Sequence, residues 1–88
     1  GLSGAHNGPQ DAVRHCIWNC LMAQNIGAYN AQQIGHIHEI CNPNPPAESA
    51  MDDHNNAVGV MLGSSGSGDC TSGCLTALSM GMLVVIGP

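Results

Sequence analysis

Three short segments hold most of the residues able to do chemistry: DAVRH at 11–15, HIHE at 36–39 and MDDHNN at 51–56. Asp11 and His15 stand four apart, the spacing at which a helix sets two side chains next to each other. Such a pair can chelate one metal ion, or its carboxylate can orient the imidazole for proton transfer. Arg14 is the chain's one arginine, with no lysine beside it, and Trp18 is its one tryptophan. The guanidinium suits an anionic substrate group or a bidentate grip on a carboxylate. The indole can wall a pocket and donate its N–H. His38, or its neighbour His36, forms with Glu39 a second couple, able to serve as acid and base or as metal ligand and base. Asp52, Asn55 and Asn56 offer oxygens and amides from one face of a third segment.

The catalytic set expected from this pattern is Asp11, Arg14, His15, His38, Glu39, Asp52 and His54, with Trp18, Asn55 and Asn56 on the substrate. In a hydrolytic reading His15 is the base, Asp11 orients it and Arg14 stabilises a developing anion. His38, Glu39 and Asp52 complete the acid–base or metal duties. In a metal reading Asp11, His15, His38 and Glu39 hold a divalent ion such as zinc, with its identity left open. The bland reading stands beside both. Arg14 could simply salt-bridge Asp11, Glu39 or Asp52, and Asn55 and Asn56 could bridge backbone. His54 falls on an apolar stripe and so reads first as a core histidine, while His6 and His36 read as surface residues. The pooled set is what favours chemistry, because burying such groups without a use is costly.

The elements that must position these residues read as helices. HNGPQDA is a helix start, with Asn7 or Gly8 as cap, Pro9 at the first position and Asp11 at the positive end. The first helix runs over about 9–24, and Val13, Cys16, Ile17, Cys20 and Leu21 follow a buried-stripe spacing. A second, about 28–41, carries Ile34, Ile37 and Cys41 on one stripe. The prolines of CNPNPP end it. A third, about 45–62, has Ala47, Ala50, Met51, Val58, Met61 and Leu62 as its apolar stripe, with Asp52, Asn55, Asn56 and Gly59 on a separate polar one. A loop over 63–70 leads to a fourth helix capped by Asp69, Thr71 or Ser72, and Gly81 stops it. MLVVI is a short β-prone tail that can dock as an extended segment. The expected class is all-α: a compact bundle of about four helices with an extended C-terminal end, one domain over 1–88.

A chain of 88 residues with 2% aromatics and no Phe must build its core from small apolar side chains. Such a core needs staples. Cys16 and Cys20 are four apart, as are Cys70 and Cys74, so two neighbouring helices could be zipped by two disulfides, 16 or 20 to 70 or 74. Either bond would close a loop of roughly 50 residues or more and contribute about 4 kcal/mol. A four-cysteine zinc site and plain buried thiols are the competing readings. Cys41 is left over, free and buried or bridging to another chain. Five cysteines point to an oxidising compartment, secreted or extracytoplasmic.

Charged residues make up 8% of the chain and the net charge is −5, with histidine neutral. Nucleic acid and anionic membrane surfaces are disfavoured as partners, since both need clustered Lys and Arg. So little charge also weakens self-repulsion and fits a homo-oligomer or self-assembly. No apolar run reaches the 18 residues a membrane-spanning helix needs. No signal-peptide pattern is recognised, and a start at Gly1 reads as a processed product or a fragment.

NGPQDAVRHCIWNCLMA, then GAYNAQQIGHIHE and ESAMDDHNNAVG, together resemble an uncharacterised bacterial domain found at the C-terminal ends of Rhs-type and other polymorphic secreted toxins and in small secreted proteins. The shared pattern is D-x-x-R-H-x-x-W-N, then H-E, then M-D-x-H-N-N, closing in a helix and a G-x-L-V-V-I tail, over about residues 7–86. The resemblance implies a helical secreted domain and a hydrolytic toxin module. Position by position it covers Asp11, Arg14, His15, Trp18, Asn19, His38, Glu39, Asp52, His54, Asn55 and Asn56. The alternative function is a non-catalytic, disulfide-stabilised extracellular structural or self-assembling protein with a buried polar network.

Overall fold

Proline and glycine set the helix ends. A computed structural model describes residues 6–41, 44–66 and 68–87. Asn42 and Pro43 of the expected break and Ser67 of the expected loop lie outside the described residues. Four helices form: α1 (Pro9–Ile26), α2 (Ala28–Cys41), α3 (Pro46–Ser64) and α4 (Cys70–Ser79). Pro9 enters α1 behind Gly8, and Pro46 enters α3 behind Pro45, each prolyl φ being already helical. Gly27, at φ 88°, breaks α1 from α2 in a conformation that other residues resist. Helices α1 and α3 each run two residues beyond their expected ends. The all-α expectation holds, with no strand among the described residues.

Asp69 caps α4 by accepting the Ser72 amide N–H at 3.2 Å. Hydrogen bonds from the Ser72 side chain and then its backbone hold the Asp69 carboxyl below its ordinary pKa. A depressed carboxyl stabilises the fold above its unfolded pKa and loses that contribution as pH falls through the folded value. Asp69→Ala is therefore expected to lower the melting temperature at neutral pH, with the gap to the native protein closing on acidification. A gap independent of pH would show that the cap's charge contributes nothing.

Two disulfides join α1 to α4, Cys16–Cys74 and Cys20–Cys70, so the zipped-helix pairing holds and settles which cysteine meets which. Around them Ala12, Val13, Met51, Val58, Ala77 and Leu83 make the main core. Ala23, Ala31 and Val60 make a smaller one between α1, α2 and α3. Cys41 carries no disulfide and is exposed, which corrects the buried alternative.

The buried faces of α2 and α3 differ from those expected. On α3, Ala47, Ala50 and Met61 are exposed, while Asp52, Asn55, Gly59 and Gly63 are buried with Met51 and Val58. The reason is backbone proximity to α1. A Cβ placed on Gly59 would stand 2.3 Å from the Cys16 carbonyl oxygen, and one on Gly63 2.3 Å from that of Cys20. Only glycine lets two helices approach so closely, so the small, polar stripe lies inside. On α2 the expected stripe of Ile34, Ile37 and Cys41 is exposed, and Ala31 is the one buried residue of the helix. Gly35 sits against the Asn19 and Asn56 side chains, so α2 too enters through its small face. On α1, Leu21 is likewise exposed while Val13, Cys16 and Cys20 are buried.

The expected tail docks. Asn55, fully buried, donates from Nδ2 to the Val84 carbonyl at 2.9 Å and accepts the Val84 N–H at Oδ1 at 2.8 Å. The Ile86 and Gly87 N–H groups both reach the Asn7 carbonyl, at 3.0 and 2.8 Å.

Candidate active site

Two carboxylates converge on one imidazole nitrogen. On α1, Asp11 and His15 lie one above the other, and Asp52 of α3 faces them across the helix pair. His15 Nε2 stands 3.4 Å from Asp11 Oδ1 and 3.3 Å from Asp52 Oδ1. Asp11 and Asp52 are 4% and 6% exposed, and the His15 side chain is 12% exposed. Asp11 is fully engaged: Arg14 Nη2 donates to Oδ1 at 2.5 Å and the Asn7 N–H to Oδ2 at 2.8 Å. Asp52 is not, for its buried Oδ1 accepts no hydrogen bond.

A cleft of about 450 Å³ opens over this trio and is lined by His6, Asn7, Asp11, Arg14, His15, Trp18, His38, Glu39, Asn44, Glu48 and Asp52. It gathers Asp11, Arg14, His15, Trp18, His38, Glu39 and Asp52 from the expected set, so residues from α1, α2 and α3 share one centre. Arg14 leans over the Trp18 ring, 5.5 Å from its centroid, and Trp18 meets His15 edge-on at 6.0 Å. The guanidinium thus lies at the solvent rim of the cleft, available to an anion, while its inner nitrogen grips Asp11.

Burial raises the Asp52 pKa; the charges of Asp11, Glu48 and Asp53 add to the rise and His15 opposes it. Glu39 is raised as well, by burial first and then by Asp52 and Asp53, against His15 and His38. Its Oε2 is buried without a hydrogen-bond partner. A carboxyl held toward its protonated form beside a histidine is a proton donor in waiting.

Three expected site residues lie elsewhere or do other work. His54 is exposed and turned to the tail, its Nε2 2.7 Å from the Met82 carbonyl, so it is neither a core histidine nor part of the cleft. Asn55 is the buried clasp on Val84 and has no face toward a substrate. Asn56 accepts the Asn19 side-chain amide at 2.8 Å and ties α3 to α1 through side chains, so the backbone bridge of the bland reading is made by Asn55 and not by Asn56. It does reach a second cleft of about 400 Å³, shared with His15, Trp18, His38, Leu21, Met22 and Ile34, which is largely apolar. His15, Trp18 and His38 line both the polar cleft and the apolar one. Sequence reasoning missed Glu48, which takes a hydrogen bond from Asn7 Nδ2 and an ion pair from His6 at 2.8 Å. Glu48 precedes Asp52 by four residues, the same spacing that marked Asp11 and His15.

A family model described as a domain of unknown function, DUF6973, matches residues 1–80. The chain belongs to the DUF6973 family. Every side chain of the polar cleft falls within the matched stretch, whereas the docked end of the tail, Met82 to Gly87, falls beyond it. In this DUF6973 chain the tail is held by Asn55 and Asn7. No solved structure matches the chain.

Proposed function

We propose that this DUF6973 protein is a small secreted hydrolase of the toxin-like kind, in which the Asp11–His15–Asp52 cluster activates water. Glu39 delivers the proton to the leaving group, and Arg14 receives the developing or resident negative charge. The observation that carries this reading is the convergence of two buried carboxylates on His15 Nε2 in an open cleft, with Asp52 Oδ1 and Glu39 Oε2 both unsatisfied. A purely structural polar network satisfies its members, because an unpaired buried oxygen costs roughly 1–3 kcal/mol. The apolar cleft that His15 also lines supports a substrate with an apolar group next to its scissile bond. Secretion is supported by the two disulfides, which need an oxidising environment to form and persist. Among the described residues no helix is long and apolar enough to cross a membrane.

The test is a panel of peptide, ester and phosphodiester substrates given to the oxidised protein, together with expression directed to the bacterial periplasm. His15→Ala is expected to lower any turnover by at least about 100-fold, the usual worth of a positioned acid–base group, and to relieve growth arrest, with the helical circular-dichroism signal unchanged. Turnover that survives the substitution intact would remove the reading.

A second reading, a self-assembling extracellular protein, is favoured by one specific observation: Tyr29, Ile37 and Ile40 of α2 are more than half exposed. A concentration-dependent shift in sedimentation, lost on Ile37→Ser/Ile40→Ser, is what that reading expects. Exposed Cys41, at the end of the same helix, would then be placed to bridge two copies.

A further inference from the structure

The polar cleft gathers more carboxyl groups than the cations lining it can pair. Asp11, Glu39, Glu48 and Asp52 line it, against Arg14 as its only permanent cation. One nitrogen of Arg14 donates to Asp11, and His6 lies on Glu48. Asp52, 94% buried by its 6% exposure, points an oxygen with no hydrogen bond at His15.

We propose that Asp11, His15 and Asp52 form a divalent transition-metal site, taking zinc rather than magnesium or calcium. One ligand atom from each of the three lies within 4.8 Å of the others. The two separations from His15 Nε2, 3.4 and 3.3 Å, are those of neighbouring ligands on one ion. Bonds of about 2.0–2.1 Å at tetrahedral angles set ligand atoms about 3.3–3.4 Å apart. One imidazole with two carboxylates at tetrahedral spacing suits zinc, whereas magnesium, calcium and manganese prefer octahedral or larger oxygen shells. Three protein ligands leave a position open toward the cleft, where a bound water would face Glu39 and Arg14. Asp11 Oδ1 can keep Arg14 while donating to the ion, since a carboxylate has about four lone-pair sites. Arg14 and the Asn7 N–H are thus outer partners that fix the ligand carboxylate. This inference rests on the same cluster as the hydrolytic reading and says how the cluster would activate water.

The test uses oxidised, chelator-treated full chain carrying Cys41→Ser, so that the exposed thiol cannot capture metal. Calorimetric titration with zinc is expected to show one ion per chain, with a rise in melting temperature that magnesium does not produce. Cobalt is expected to give visible absorption of a low-symmetry nitrogen–oxygen site. Asp52→Asn and His15→Gln should each weaken binding by at least about 100-fold, beyond the roughly 10–100-fold that outer-shell changes cost. His36→Gln, outside the cleft, should change nothing. Asp52→Asn relieves the charge crowding and is expected to fold, which a helical circular-dichroism spectrum checks. The proposal is overturned by no stoichiometric binding, by binding that Asp52→Asn and His15→Gln leave unchanged, or by binding lost with His36. His15-dependent hydrolysis that persists under chelator would overturn the metal site and keep the hydrolase. One ion bound with no turnover on any substrate does the reverse.

Discussion

A protein in which Cys16, Cys20, Cys70 and Cys74 are all replaced by serine is expected to be unfolded at 25 °C. The Cys16–Cys74 bond spans 58 residues and Cys20–Cys70 spans 50. Either alone removes chain entropy from the unfolded state worth about 4 kcal/mol. The second bond to form closes only the short loop left between the two, which adds about 2–3 kcal/mol on the same scale. Together they approach the whole stability of an ordinary domain of this length, about 4–13 kcal/mol at 0.05–0.15 kcal/mol per residue. The rest of the core cannot make up the loss: its buried apolar residues are mostly Ala, Val and Cys, with Met51 and Leu83 the largest. Cys20→Ser/Cys70→Ser should cost only the smaller increment, because Cys16–Cys74 still closes the long loop. Urea melts of the two variants measure both quantities. A four-serine protein that melts within about 5 °C of the native one would show that the fold stands on packing alone.

The same poverty of large side chains explains which parts of the molecule could be read from the sequence. Helix ends were legible because Pro9, Gly27 and Asp69 act through local backbone chemistry that no distant contact overrides. The cysteine pairs were legible because i, i+4 spacing places both sulfurs of each pair on one face. The shared centre was legible for a related reason: Asp11, His15, Glu39 and Asp52 are rare residue types in a chain with little charge, so their clustering stood out. Burial was not legible on α2 or α3. Hydrophobic periodicity assumes that the largest apolar side chains turn inward, and here the interhelical gap is too narrow to admit them. Ile34 and Ile37 on α2 and Met61 on α3 are left outside, while Gly59, Gly63, Ala31 and Asn55 fill the interior. An asparagine beside a candidate site looks chemical in sequence, so Asn55 reads there as a substrate contact. Its partner, the Val84 backbone, lies 29 residues away and leaves no mark in local spacing.

That narrow gap makes Gly59→Ala, like Gly63→Ala, a highly disruptive small change on α3. Its new methyl would meet the Cys16 carbonyl oxygen at 2.3 Å and the Asn19 Cβ at 2.9 Å. The carbonyl belongs to a helix pinned to α4 by two disulfides and cannot swing aside, so α3 must move outward by about an ångström to restore van der Waals distance. Overpacking of this kind costs about 1–3 kcal/mol or more. Against it stands the gain of about 1 kcal/mol from replacing glycine by alanine inside a helix. A clash with fixed backbone belongs at the top of the overpacking range, so the expected net loss is about 2 kcal/mol and the melting temperature should fall by about 8–16 °C. Gly73→Ala on α4 is the matched control. Its methyl would lie 3.6 Å from Leu62 Cδ1, an ordinary contact, so only the helix gain remains and stability should hold or rise. The displacement also reaches the cleft. Asp52 sits two turns before Gly59 on the same helix face, so an outward shift of α3 lengthens the 3.3 Å approach of Asp52 to His15. Gly59→Ala should therefore weaken metal binding or turnover even at temperatures where it is fully folded, and Gly73→Ala should not. A Gly59→Ala protein as stable as the native chain would mean that the two helices are not in backbone contact, and the close α1–α3 pairing that brings Asp52 to His15 would fall with that result.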